Sequence, residues 1–74
     1  MKFKVGDIIK GTKESDGQYA YTTSKSKCRV VEVYKYGDID VEIIDHETLK
    51  DHIGEVYGVE EQYFKLVIGG AKLR

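Results

Sequence analysis

An all-β fold of five short strands is what this sequence predicts, and three observations carry the prediction. Proline is absent while eight glycines punctuate the 74 residues. Between the glycines run short segments rich in Val, Ile and Tyr, the pattern of strands joined by turns. The segment DIDVEIID, residues 38–45, alternates apolar and acidic residues with period two, as a half-buried strand does. The stretch with the most helical look, HETLKDH, is too short to stand as more than one turn.

Taken in order, FKVGDIIKGTK reads as an apolar start at Phe3, a turn at Gly6-Asp7 and a first strand over Ile8 to Thr12. The next strand lies within KCRVVEVYK, Lys27 to Lys35. Val31 and Val33 are its expected inward pair, with Val30 facing the other way on a bent strand. Gly37-Asp38 is a hairpin signal. In the third strand Ile39, Val41 and Ile43 point inward and Asp38, Asp40 and Glu42 outward, while Ile44 breaks the alternation and is placed over a second small cluster. GEVYGVE supplies a fourth strand centred on Val56 and Val59, and EEQYFKLV a helical turn before a last strand, Phe64 to Val67. Five strands around one core, with a long early loop, predict a small SH3-like barrel, which limits exposed strand edges. It spans residues 1–68 as a single domain, and residues 69–74, IGGAKLR less its isoleucine, form a flexible tail with few apolar anchors.

Size and composition narrow the function. A chain this short buries only roughly 60% of its unfolded surface, too little to build a deep private cleft. A binding module, a subunit or a small inhibitor fits better. The single cysteine, Cys28, excludes an internal disulfide and a cysteine-based zinc site, and a lone thiol suits a reducing cytoplasm. No apolar run approaches the ~18 residues of a membrane span. The net charge of −1 hides an asymmetry: residues 1–37 carry eight Lys/Arg against four Asp/Glu, or +4, and residues 38–74 carry four against nine, or −5. Such polarity suits protein partners at least as well as nucleic acid.

FKVGDIIKG, Phe3 to Gly11, resembles the first strand of SH3-like, KOW-like and Tudor-like barrels. CRVVEVYKYGDIDVEIIDH followed by GEVYGVEEQYFKLV is similar to a family of small uncharacterised domains of phages and prophages of Gram-positive bacteria. Its pattern falls on Val30 and Val33, Ile39 and Val41, His46, Gly54, Tyr57, Val59, Phe64 and Leu66. The likeness covers roughly residues 3–67. It implies the barrel and a phage-type origin, and carries over no catalytic residue. Where that family has Asn and Asp in a tight polar turn, this chain has YTTSKSK.

No nucleophile elbow and no glycine-rich phosphate loop is present, so no enzyme is expected. Cys28 opens an apolar strand and reads as an inert, half-buried thiol. Asp45-His46 and Asp51-His52, with Glu47 and Glu55 nearby, bring together metal-ligating types. The six-residue His–His spacing matches no local ligand set, so no metal and no cofactor is expected; His46 caps the strand end and His52 is solvated.

The six tyrosines are the stronger signal, since Tyr supplies flat apolar area with a polar tip at low entropy cost. Tyr34, Tyr57 and Tyr63 are assigned partly structural roles. Tyr19, Tyr21 and Tyr36 are the expected contacts, with Lys25, Lys27 and Arg29 steering an acidic partner surface. The function that follows is a non-enzymatic protein-binding module of the bacterial cytoplasm. As a phage protein it would occlude a host protein, in host takeover or as an anti-defence inhibitor such as an anti-CRISPR. The alternatives are nucleic-acid binding through the same face, helped by Lys10 and Lys13, and a structural subunit of a phage assembly.

Overall fold

The computed structural model describes residues 2–70. One open, antiparallel, five-stranded sheet carries the fold: β1 (Ile8–Gly11), β2 (Ser26–Val33), β3 (Asp38–His46), β4 (Val56–Glu60) and β5 (Phe64–Ile68), in the order β4-β3-β2-β1-β5. The rest is turns and single turns of helix: α1 (Lys13–Asp16) and 3-10 turns at Lys35–Gly37, Lys50–His52 and Glu61–Tyr63. The helical turn expected before the last strand is the Glu61–Tyr63 turn. Among the described residues no helix is long and apolar enough to cross a membrane.

Three bulges curl the sheet. Val31 is the extra residue of β2 between the pairs Val30↔Val41 and Glu32↔Asp40. Ile44 is the extra residue of β3 between Cys28↔Ile43 and Lys27↔Asp45. Val67 is the extra residue of β5 between Ile9↔Leu66 and Ile8↔Ile68. Each bulge bends its strand and resets which side chains face inward. That explains the one inward assignment the structure reverses. Val30 is fully buried and Val31 only half so, because the bulge at Val31 lets Val30 and Val33 both turn toward the core. The bulge at Ile44 likewise turns His46 inward.

Among the described residues Phe3, Ile9, Cys28, Val30, Ile39, Val41, Ile43, Val59 and Phe64 form one buried cluster. Phe64, the largest fully buried side chain, contributes about 3 kcal/mol by its burial. Tyr19, Val33, Tyr57 and Tyr63 pack against its margin.

The connection from β1 to β2 is polar and pinned to the sheet at a few buried hydroxyls. Thr12 sends both its amide and its hydroxyl to the Tyr63 carbonyl (2.9 and 2.8 Å). Ser15, Thr22 and Ser26 are buried; the Ser15 hydroxyl donates to the Thr12 carbonyl and the Ser26 hydroxyl to the Thr23 carbonyl. Asp16 accepts both the amide and the hydroxyl of Ser24 (2.7 and 2.8 Å), which folds the segment back on itself. Gly11 makes room for this: a Cβ there would press on the Ser15 hydroxyl and stand 2.5 Å from the Thr23 carbonyl oxygen. The helical turn α1 is an element the sequence pattern did not single out, although Thr12 and Gly17 bracket it.

At the far end of the sheet Asp7 accepts the Lys4 amide and, through its other oxygen, the Gly70 amide at 2.8 Å. Gly70, within the expected tail, is therefore tied to the sheet. The remainder of that tail, residues 71–74, lies outside the described residues.

Candidate functional site

The six expected contact residues are distributed over four places. Tyr19 leans inward from the β1–β2 connection onto Phe64 (6.1 Å between ring centroids) and edge-on to Tyr63 (6.0 Å). Its hydroxyl accepts the Glu60 amide of β4 at 2.9 Å. Tyr21 stacks on His52 at 4.0 Å and tilts over Tyr57 at 5.6 Å. Tyr36 stands 97% exposed at the β2–β3 turn. Lys25, just before β2, is exposed, and so are Lys27 and Arg29 on the outer face of β2, because Ser26, Cys28 and Val30 point inward. Arg29 pairs with Glu42 across the strands at 3.5 Å, and Lys27 lies opposite Asp45.

What the fold does assemble is an open groove of about 370 Å³ beside Tyr19. Ile39 and Val59 form its apolar floor, and Tyr19 and Tyr34 stand at it from different segments. Tyr34 donates to Asp40 Oδ2 at 2.7 Å, and that bond raises the tyrosine's pKa above its ordinary value. Asp38, Asp40 and Glu60 rim the groove, and Gly58 leaves open the space a side chain would fill beside Asp40. The carboxylates are paired like with like: Asp38 lies opposite Glu60 on β4, and Asp40 opposite Glu32 on β2. Directly opposed like charges destabilise a sheet. Among the described residues none of these four makes a salt bridge. The alternation of DIDVE made Asp38 and Asp40 legible as one face; Glu60 joins them through the strand register and Tyr34 through its bond to Asp40.

A second cluster holds the loop between β3 and β4. His52 Nδ1 meets Glu55 Oε1 at 2.5 Å, and the Tyr57 hydroxyl donates to the same oxygen. The carboxylate between two donors sits below its ordinary pKa, and the hydrogen bond to it pushes Tyr57 up to about 12. His52 is therefore packed between Tyr21 and Glu55, with 27% of its side chain exposed, and is not the solvated residue expected from sequence.

His46 does cap the strand end. Its Nδ1 accepts the amides of Thr48 (3.1 Å) and Leu49 (3.0 Å), which places the ring proton on Nε2. That second nitrogen is enclosed with no partner among the described residues. Cys28 is fully buried, and burial pushes its thiol up to about 11. Among the described residues no group of three or more His, Cys, Asp or Glu is placed to hold a metal ion. No family model, no curated protein and no solved structure matches the chain.

Proposed function

We propose that the chain is a non-enzymatic protein-binding module, built as a small SH3-like barrel, that takes a cationic, extended segment of its partner in the Tyr19–Tyr34 groove. The barrel reading is supported by the strand order β5-β1-β2-β3-β4, the three bulges and the helical turn between β4 and β5. The observation that carries the binding reading is the groove's pairing of two tyrosines with a carboxylate rim that no cation of the described residues neutralises. A Lys- or Arg-bearing segment would relieve the Asp38–Glu60 and Asp40–Glu32 repulsions while laying apolar stem atoms on the rings. The binding reading, not an enzymatic one, is supported by how the nucleophile types are engaged. The Cys28 thiol is buried, and the Ser15 and Ser26 hydroxyls are held by backbone carbonyls.

In this proposal the module acts sterically, covering a surface of a host protein in the bacterial cytoplasm. Host takeover and inhibition of a defence enzyme are the roles that the resemblance to phage domains adds. The contact is moved from the expected Tyr19, Tyr21 and Tyr36 with Lys25, Lys27 and Arg29 to Tyr19 and Tyr34 with the acidic rim. The test is an array of extended peptides, cationic, neutral and acidic, read by fluorescence polarisation. Cationic peptides are expected to bind best, and Tyr34→Ala/Asp40→Asn to weaken them at least tenfold. A double variant that binds every peptide as the parent does overturns the assignment.

A further inference from the structure

We propose that the outer face of β5, β1 and β2 binds the phosphodiester backbone of a nucleic acid without reading its sequence. This face is separate from the groove and independent of the reading given to it. The strand register places Lys65 of β5 opposite Lys10 of β1, and Lys10 opposite Lys27 of β2. Three ammonium side chains thus form one row across three neighbouring strands. With strands about 4.8 Å apart the row is about 10 Å long, and over such a length duplex DNA presents about six phosphate charges. Lys25 and Arg29 flank Lys27 along the chain, exposed with it. Among the described residues none of Lys10, Lys27 and Lys65 makes a salt bridge. The nearest acid in the row, Asp45 opposite Lys27, is 3.3 Å from Lys50, whose bond holds its carboxyl below the ordinary range.

Like charges directly opposed on adjacent strands destabilise the sheet, so the row lowers stability unless an anion lies on it. Its composition favours phosphate over a protein surface. Protein interfaces are depleted in lysine at their cores and built on aromatic and arginine anchors, and no aromatic side chain lies in the row. Lysine is a mobile point charge suited to phosphate oxygens. The lack of an aromatic platform removes base stacking, so both strands of any sequence serve alike. The acidic residues Asp38, Asp40 and Glu60 lie on β3 and β4, away from β1 and β5, and repel the same backbone, which confines it to this face.

The experiment is fluorescence polarisation with a labelled duplex of arbitrary sequence at about 50 mM salt, repeated at rising salt. Binding is expected to fall with a log–log slope of about −3, the release expected for three phosphate contacts. Lys10→Gln/Lys27→Gln/Lys65→Gln is expected to weaken it at least tenfold while raising the melting temperature of the free protein at low salt. Tyr36→Ala, at an exposed side chain outside both the row and the groove, is expected to bind the duplex as the parent does. No binding at 50 mM salt overturns the proposal, as does equal binding by the triple variant. Equal affinity for polyglutamate would assign the face to an acidic protein instead. Salt-sensitive self-association that the triple variant abolishes would assign it to a second copy of this chain.

Discussion

Two connections leave the ends of β2, and they solve opposite problems. The segment before it, residues 12–25, is rich in Ser, Thr and Lys, is largely exposed, and is nevertheless pinned to the body of the protein. Ser15 and Thr22 are buried, Asp16 closes on Ser24, and Gly11 lets the Thr23 backbone lie against β1. The segment after β2, residues 34–37, is a tight hairpin in which Tyr36 (φ 66°) and Gly37 (φ 87°) are both left-handed. Tyr36 stands 97% exposed, so core burial does not account for its conformation. Polarity alone does not put a loop at the surface. A polar loop is held against the protein where its own hydroxyls and carboxylates satisfy the backbone that is buried.

The largest effect expected from breaking this contrast is at Gly11. Gly11→Ala forces a methyl group against the Thr23 backbone, which cannot move without opening the connection, and is expected to destabilise by about 3 kcal/mol. Gly37→Ala, where the nearest atoms are those of the flexible Glu61 side chain at 3.5 Å, is expected to lose only the left-handed preference, about 1 kcal/mol. Urea denaturation of the two variants compares them directly, and equal losses would erase the distinction. Next comes His46→Ala, beside the point where the Glu47 amide reaches the Lys25 carbonyl. It strands two amides, and is expected to lose about 2 kcal/mol in the same assay.

Smaller changes sharpen the comparison. Tyr36→Asn is expected to raise stability by about 0.5 kcal/mol, because Asn tolerates the left-handed region and no packing is lost. A drop in stability would show that the ring has a partner in the folded chain. The mildest test is acidification. The two Ser24 bonds hold Asp16 below its ordinary pKa of 3.8, so its contribution is present above pH 3.8 and is lost as pH falls through the lowered value. Protection of the Ser24 amide, its exchange rate taken against the intrinsic rate at each pH, is expected to fall over that window, and to be lost at neutral pH already in Asp16→Ala.

Much of the fold was legible because apolar side chains repeat every second residue. Ile39, Val41 and Ile43 needed nothing beyond their alternation, and Phe64 marked the last strand by following a turn. What resisted reading was each place where the period slips. Val30 and His46 owe their burial to bulges at Val31 and Ile44, and a bulge leaves no mark on composition. The site was harder for a related reason. Tyr19, Tyr21 and the basic residues up to Arg29 are neighbours along the chain, but the connection turns back on itself and delivers Tyr19 to Glu60, Tyr21 to His52 and the basic side chains to the opposite face. The lysine row illustrates the converse, since Lys10, Lys27 and Lys65 are far apart in sequence and adjacent in register.

Cys28 sits between Ile9 and Ile43 in the register, at the centre of the sheet, and it is the chain's single cysteine. A thiol reagent in solution reaches that sulfur only after the strands around it have come apart. The unmodified protein therefore carries its own stopwatch. At high reagent concentration the rate at which Cys28 is labelled is the rate at which the sheet opens, with no residue replaced.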